Sequence, residues 1–249
     1  MKIANNRLPV KMQTSLFRSR GGFTLIELLV VIAVMTIIAS LTLVVVGGIK
    51  KAEYIKVAQA ELGQIDSALD NFHAKYGVYP PSNGNVANTY APPLTNSLLP
   101  QLYYELSGVY LTNNGDDYVT LDGSAKISNA GAPNSDVSKA FGVGGFINCV
   151  KTGDEESSKA QSFILGLKAN QIASVYNNGV WVSNLITTVR GPDANYKPLG
   201  ITDVNPFRYV YPGVHNPNSY DLWVQLVISG KTNLVCNWSK TVIINSPEP

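Results

Sequence analysis

The sequence predicts an α+β protein in which one long N-terminal helix is followed by a head with short β-strands. Three observations lead to this fold class. An uncharged run covers Leu28–Ile49, apolar residues then recur every three or four positions up to Tyr76, and strand-forming residues gather near the C-terminus. With 249 residues, the chain has the length of one ordinary domain plus an appendage.

Positive charge is concentrated at the start of the chain. Residues 1–22 contain five basic residues and no acidic one, and in residues 23–249 the acidic residues outnumber the basic ones. The net charge of +2 therefore arises from the first 22 residues. It gives no reason to expect a nucleic-acid partner for the rest of the chain. Two His and two Cys are too few to indicate a zinc or iron–sulfur site.

The uncharged run Leu28–Ile49 is 22 residues long. At about 1.5 Å per residue it would reach roughly 30 Å, enough to cross a bilayer. A plain membrane anchor and the apolar part of a secretory signal are the simple interpretations. A secretory signal has a shorter core and is cut after it, whereas here the small pair Gly21-Gly22 lies before the run.

The excess of basic residues before the run predicts that the N-terminus lies inside the cell, although Lys50 and Lys51 after the run weaken this charge asymmetry.

Glu27 stands at the head of the apolar run, and the next basic residue is Lys50. A carboxylate in a bilayer helix is costly unless it is paired or neutralised, which makes Glu27 a candidate functional residue. The alternative is that Glu27 is solvated at headgroup level, where a helix N-terminus mildly favours its charge.

The segment from Arg20 to Ile32 reads RGGFTLIELLVVI, and it resembles the signal shared by type IV pilins and the pseudopilins of type II secretion. The resemblance implies that a membrane prepilin peptidase cuts after Gly22 and methylates the new amine of Phe23. It also implies that Glu27 meets the N-terminal amine of a neighbouring subunit in a filament. Physics favours such a role, because a buried carboxylate and a buried amine are each costly alone, so the pair would fix the axial register.

The helix is predicted to continue into water after Lys51. The apolar stripe that predicts it has 3–4 spacing and consists of Ile55, Ala58, Leu62, Ile65, Leu69, Phe72 and Tyr76. Gly77 and Pro80-Pro81 end the pattern. A coiled coil is the alternative for such a stripe, but a large globular segment follows at once and needs a scaffold.

Two further segments, 68–80 and 203–223, are similar to the major (G-type) pseudopilins. The first ends in Gly77-Val-Tyr-Pro80, and the second contains Asn205-Pro-Phe-Arg-Tyr-Val-Tyr-Pro-Gly213. This resemblance implies a helix laid across a C-terminal antiparallel sheet.

The predicted organisation has three parts. A leader, 1–22, is cleaved. A helix, 23–76, has a transmembrane half, 23–49, and an amphipathic half, 50–76. A head, 77–249, contains a large insertion at about 82–202 and a sheet at 203–245.

Local patterns predict the elements of the head. A helix is expected at 158–173. Strands are expected at Tyr118–Leu121, Phe146–Val150, Val180–Val182, Phe207–Tyr211, Tyr220–Ile228 and Val242–Ile244.

In the family, the loop after the Tyr-Asp-Leu strand commonly binds calcium. Calcium prefers six to eight oxygen ligands, usually with several carboxylates. Here no Asp or Glu occurs between Leu222 and Asn245, and Lys231 would repel a cation. No cofactor is therefore expected.

Cys149 and Cys236 would both lie outside the cytoplasm, where a disulfide between them could form; the sequence leaves this open.

The functional expectation is a structural subunit rather than an enzyme, since His73 and His215 belong to no recognisable catalytic or metal motif. A binding role is the other alternative. Exposure of Tyr90, Tyr103, Tyr104 and Tyr110 on one face would favour binding, and their burial would favour packing.

The expected protein is a pseudopilin, a single-pass protein of the bacterial inner membrane with a periplasmic head. It would polymerise into a short periplasmic pseudopilus of a type II secretion-like system. The expected partners are further copies of the chain, minor pseudopilins, the prepilin peptidase and the inner-membrane assembly platform. The runner-up is a type IV pilin for adhesion, motility or DNA uptake.

Overall fold

The structure is a computed structural model that describes residues 22–82, 100–112, 114–131, 133–150, 159–177, 179–190, 195–202 and 204–245, without the side chains of 41–49 and 177. The helices are α1 (Leu25–Tyr76), α2 (Leu102–Ser107) and α3 (Asp136–Phe141). The strands are β1 (Val109–Leu111), β2 (Asp117–Thr120), β3 (Lys126–Ser128), β4 (Cys149–Val150), β5 (Ile172–Asn177), β6 (Val180–Leu185), β7 (Arg208–Val210), β8 (Asp221–Ile228), β9 (Lys231–Cys236) and β10 (Ile243–Ile244).

The chain divides into two compact units, Met1–Gly48 and Ile49–Pro249, and α1 has residues in both. In the first unit, the large apolar side chains from Leu25 to Ile38 of α1 are exposed, as is Phe23 just before the helix. Exposed apolar surface of this extent is typical of a segment that contacts a membrane or another protein.

In the second unit, the predicted stripe of α1 faces the core. Ala58, Leu62, Ile65, Leu69 and Phe72 are all buried, as their 3–4 spacing requires. The helix ends where the sequence predicts, because Gly77 adopts a left-handed φ of 72° and its N–H donates to the carbonyl of His73.

The described strands of the second unit form three sheets. One has the order β3-β2-β1-β4, with β4 parallel to β1 and the other pairs antiparallel. The second is antiparallel with the order β10-β9-β8-β7, and the third is the antiparallel hairpin β5-β6. The bridge Ile186–Pro206 lies between the hairpin and β7. The expected α+β class with antiparallel sheets in the C-terminal part is thus confirmed.

One hydrophobic core joins these elements. It combines buried residues of α1, α2, α3 and the strands, including Leu69, Tyr104, Phe141, Val182 and Leu222. Residues of the predicted insertion therefore share a core with α1 and the C-terminal strands. A smaller cluster, which contains Val210, Trp223, Leu234 and Cys236, is separate from it.

Two local predictions are wrong. The helix expected at 158–173 is not formed by the described residues of that segment, which make bends, a single 3-10 turn at Ala169–Gln171 and then the start of β5. The segment after the Tyr-Asp-Leu strand, expected to be a loop as in the family, contains β9. Ser229 and Gly230 form the two-residue turn that joins β8 and β9, and both have positive φ, 52° and 70°.

The strand at 146–150 is shorter than expected, since only Cys149 and Val150 are paired. The other predicted strands are present with shifted ends.

Candidate processing and assembly site

The start of α1 forms the candidate site. Gly22, Phe23 and Thr24 are exposed and precede the helix, which begins at Leu25. The Gly22–Phe23 peptide bond therefore lies outside the helical hydrogen-bond pattern, where a peptidase can reach the backbone.

Thr24 and Glu27 hold each other in a capping box. The amide and the hydroxyl of Thr24 each donate to Oε2 of Glu27 at 2.8 Å, and the amide of Glu27 donates to the Thr24 hydroxyl oxygen at 3.3 Å. The first helical hydrogen bond runs from the amide of Leu28 to the carbonyl of Thr24 at 3.2 Å. These contacts satisfy backbone groups that a helix start otherwise leaves unpaired.

The capping box also fixes the position of a charge. The Glu27 carboxylate lies within the first turn of α1, at the positive end of the helix dipole. A shallow groove of about 340 Å³ lies beside it and is lined by Phe23, Ile26, Val30 and Val31. The site therefore presents one fixed carboxylate within an exposed apolar surface, which is suited to receiving a cationic group together with apolar side chains.

Thr24 was not among the predicted site residues. Its signal was in the sequence, because a Thr three positions before a Glu, directly ahead of an apolar run, is the capping-box pattern.

A comparison with protein families finds a match for the N-terminal segment that contains this site. The family described as "Prokaryotic N-terminal methylation motif" matches residues 17–43. The motif points to type IV pilin-like proteins.

The matched residues include Gly22, Phe23 and Glu27 and end before the head begins. No curated protein and no solved structure matches the chain. The resemblance of the N-terminus to a type IV pilin-like signal is therefore confirmed, whereas cleavage after Gly22, methylation of Phe23 and pairing of Glu27 stay predictions.

The motif is typical of membrane-anchored pilin-like proteins. Among the described residues, none of the helices combines the length and the apolar character that a membrane span requires.

Cys149 and Cys236, for which the sequence left a disulfide open, are not joined in the structure. Cys149 is half-buried on β4, and its thiol donates to the carbonyl of Val150. Cys236 is buried on β9 in the smaller cluster, and burial raises the pKa of its thiol.

The tyrosines whose common exposure would favour a binding role do not form one exposed face among the described residues. Tyr103 and Tyr104 are buried, Tyr110 is 40% exposed, and Tyr90 lies outside the described residues. The two buried tyrosines serve packing.

Asp221, a buried carboxylate, stabilises a loop of the head. It accepts hydrogen bonds from the amides of Val214, His215 and Asn216, and it lies 3.0 Å from Nδ1 of His215. The His215 ring stacks on Trp238 at 4.3 Å. Because several backbone amides share this carboxylate, the arrangement is that of a structural anchor.

In the part of the chain that the structure describes, no group of three or more His, Cys, Asp and Glu residues is placed to hold a metal ion. The segment that carries the calcium loop in the family forms the β8–β9 turn and β9 here.

Proposed function

We propose that the chain is a pseudopilin, a structural and non-enzymatic subunit that polymerises through α1 into a short periplasmic filament of a type II secretion-like system. The observation that carries the proposal is the methylation motif, with Glu27 held at the head of an exposed apolar helix. In this proposal the chain is inserted in the bacterial inner membrane, cut after Gly22 and methylated at Phe23.

Contacts in the head support the choice of a pseudopilin. The two segments that resemble major pseudopilins are far apart in sequence and touch in the structure. Tyr79 packs against Tyr211 and Tyr220 with ring centroids 5.5 and 4.8 Å apart, and the Tyr209 hydroxyl donates to the carbonyl of Pro80. Two patterns that belong to one fold are expected to meet in this way.

The proposed partners follow from the proposed pathway. They are the prepilin peptidase, the inner-membrane assembly platform, minor pseudopilins and further copies of this chain. In the filament, the carboxylate of Glu27 would pair with the methylated amine of Phe23 from a neighbouring copy, and a subunit docked out of register would leave both charges unpaired.

The first test uses Glu27→Gln. A glutamine at this position can still complete the capping box, so the variant removes the charge while it keeps the helix start. We expect wild type and variant to be processed alike, with Phe23 as the methylated N-terminus by mass spectrometry, and only wild type to sediment as filaments. An intact Met1, or filaments that form equally well in the variant, would contradict the proposal.

A second test separates the pseudopilin from the type IV pilin alternative. A strain that lacks the chain should lose export of folded proteins and should show no change in surface fibres or twitching. Loss of long surface fibres, with secretion intact, would instead identify a type IV pilin.

A further inference from the structure

The hairpin β5–β6 carries two exposed aromatic side chains. Tyr176 and Trp181 are directly opposite each other in the register, their ring centroids are 5.3 Å apart, and they are 61% and 64% exposed. Ser174 and Ser183 form the next cross-strand pair on the same face. Large aromatic side chains at this exposure contribute little to the core, which makes the pair a candidate binding surface.

The exposure of the rings does not come from a loosely attached hairpin. On the opposite face, Val175, Val180 and Val182 are buried in the main core. The amide of Ser183 donates to the Tyr104 hydroxyl at 3.1 Å. The backbone that carries the two rings is therefore held in place by the contacts of its buried face with the core.

Just beyond β6, the carboxylate of Glu61 on α1 accepts hydrogen bonds from Thr187 and Thr188. This contact fixes the end of β6 to the long helix, so the hairpin is held at its base as well as on its inner face.

The chemistry of the face is aromatic, polar and uncharged. Residues 172–185 contain no Asp, Glu, Lys, Arg or His. Binding of single-stranded nucleic acid combines stacked bases with a positively charged groove, and the hairpin offers no such charge. The same lack of charge disfavours an ionic peptide.

The size of the face also limits its partner. Two aromatic side chains bury about 150–250 Å² each, whereas a stable protein interface buries about 800 Å² per partner. The pair is thus too small to anchor a protein alone, and it matches the size of one or two sugar rings.

We propose that the Tyr176–Trp181 face binds an uncharged carbohydrate chain. A pyranose ring has apolar C–H faces that stack on aromatic rings, and its hydroxyl groups pair with polar side chains such as those of Ser174 and Ser183. Tyr and Trp suit this task because each combines an apolar ring with a polar group.

The test is calorimetric titration of the full chain in a detergent without a sugar headgroup. The probes are the β-1,4-linked hexasaccharides of glucose and of N-acetylglucosamine. We expect saturable binding of at least one probe, and at least tenfold weaker binding in Trp181→Ala and in Tyr176→Ala. Trp181→Phe, which keeps an aromatic ring, should retain most of the affinity.

Tyr110→Ala is the matched control, because it removes a 40% exposed tyrosine from β1 in another sheet; it should bind the probes like wild type. Circular dichroism of each variant establishes that the head stays folded. Titration of unassembled chains leaves residues 22–27 untouched, so the result is independent of whether the chain forms filaments.

Several outcomes would overturn the inference. One is that neither hexasaccharide binds saturably, and another is that binding survives in both alanine variants. Equal binding of a thymidine hexanucleotide would show that the face does not select uncharged ligands. Self-association of the chain that Trp181→Ala abolishes, without sugar binding, would assign the face to a second copy instead.

Discussion

Thr24 and Glu27 act as one unit at the start of α1. The Thr24 hydroxyl both donates to the carboxylate and accepts from the Glu27 amide. The carboxylate is therefore positioned by Thr24, a neighbour that was not among the predicted site residues, and the assembly role proposed for Glu27 would depend on both side chains.

Substitution of Thr24 tests this dependence. Thr24→Val keeps the branched shape and removes the hydroxyl, which should weaken the helix start by about 1 kcal/mol and leave the Glu27 carboxylate with one hydrogen bond fewer. We expect normal processing by mass spectrometry and a smaller fraction of sedimenting filaments. Thr24→Ser should behave like wild type, and filament yields equal in all three chains would count against a positioning role.

Glu105 is a buried carboxylate in α2, and it links α2 to the segment before β4. It accepts hydrogen bonds from the amides of Ile147 and Asn148 and from the side-chain amide of Gln101. Burial nevertheless outweighs these donors and raises the pKa of Glu105 to about 7 from an ordinary value of 4.5.

The raised pKa predicts how stability changes with pH. The folded chain holds this proton more tightly than the unfolded chain, so stability should fall as the pH rises from about 4.5 to about 7 and level off above. The full loss is on the order of 3 kcal/mol. Urea unfolding of the full chain at pH 5 and pH 8 should show this difference for wild type and a smaller one for Glu105→Gln. Equal pH dependence in the two chains would contradict the assignment.

At the scale of elements, α1 is tied to the head by Glu61 as well as by its apolar stripe. The carboxylate accepts hydrogen bonds from the Thr187 hydroxyl and from the amide and hydroxyl of Thr188, and Gln171 lies at 3.4 Å. Glu61 is not part of the apolar stripe that predicts the helix. Its partners are more than 100 positions away in the chain, so the local pattern could not reveal them.

Glu61→Ala should lower the free energy of unfolding by about 2–3 kcal/mol, because it leaves several donors without their charged acceptor. Glu53, an exposed carboxylate of the same helix, provides the control. Glu53→Ala should change the free energy of unfolding by less than about 0.5 kcal/mol in the same urea titration. Similar effects of both substitutions would show that the Glu61 contacts add no stability.

Gly63 in α1 and Gly213 in the loop between β7 and β8 should respond to alanine substitution with stability changes of opposite sign. A Cβ at Gly63 in α1 would meet nothing within 4 Å, so Gly63→Ala should stabilise the helix by about 0.5–1 kcal/mol. A Cβ at Gly213 would lie 2.5 Å from Oδ1 of Asp221 and 2.9 Å from the carbonyl oxygen of Asn216. Gly213→Ala should destabilise the head by about 1–3 kcal/mol. Thermal unfolding checks both signs, and equal signs would refute the steric argument.

How far the sequence predicts the structure depends on the range of the interactions. The stripe of α1 and its end at Gly77 are encoded by neighbours three or four positions apart, and the structure agrees there. The segment 158–173 has no such periodicity, and long-range contacts such as that between Gln64 and the Leu165 carbonyl decide its course. At the candidate site, a local sequence motif was enough to predict Gly22, Phe23 and Glu27. The role of Thr24 became visible only from its hydrogen bonds to Glu27 in the structure.

At the scale of the whole molecule, the two cysteines belong to different hydrophobic clusters. Cys149 packs against the main core, and Cys236 belongs to the smaller cluster. We therefore predict that both thiols of the denatured chain react with iodoacetamide without a reductant, which intact mass spectrometry would detect as two added groups. Alkylation that requires prior reduction would show a disulfide.

The contacts between α1 and the C-terminal strands have a consequence for biogenesis. Tyr220 bonds to Asp66 across 154 positions, and Tyr209 bonds to Pro80 across 129. Synthesis runs from the N-terminus, so the stripe of α1 is made long before the strands that cover it. Topologies dominated by such distant pairs fold slowly and expose apolar surface meanwhile. The newly made chain thus passes through a period in which Leu69 and Phe72 have no strand over them, and a holding chaperone that protects them until β8 arrives would improve the yield of folded head.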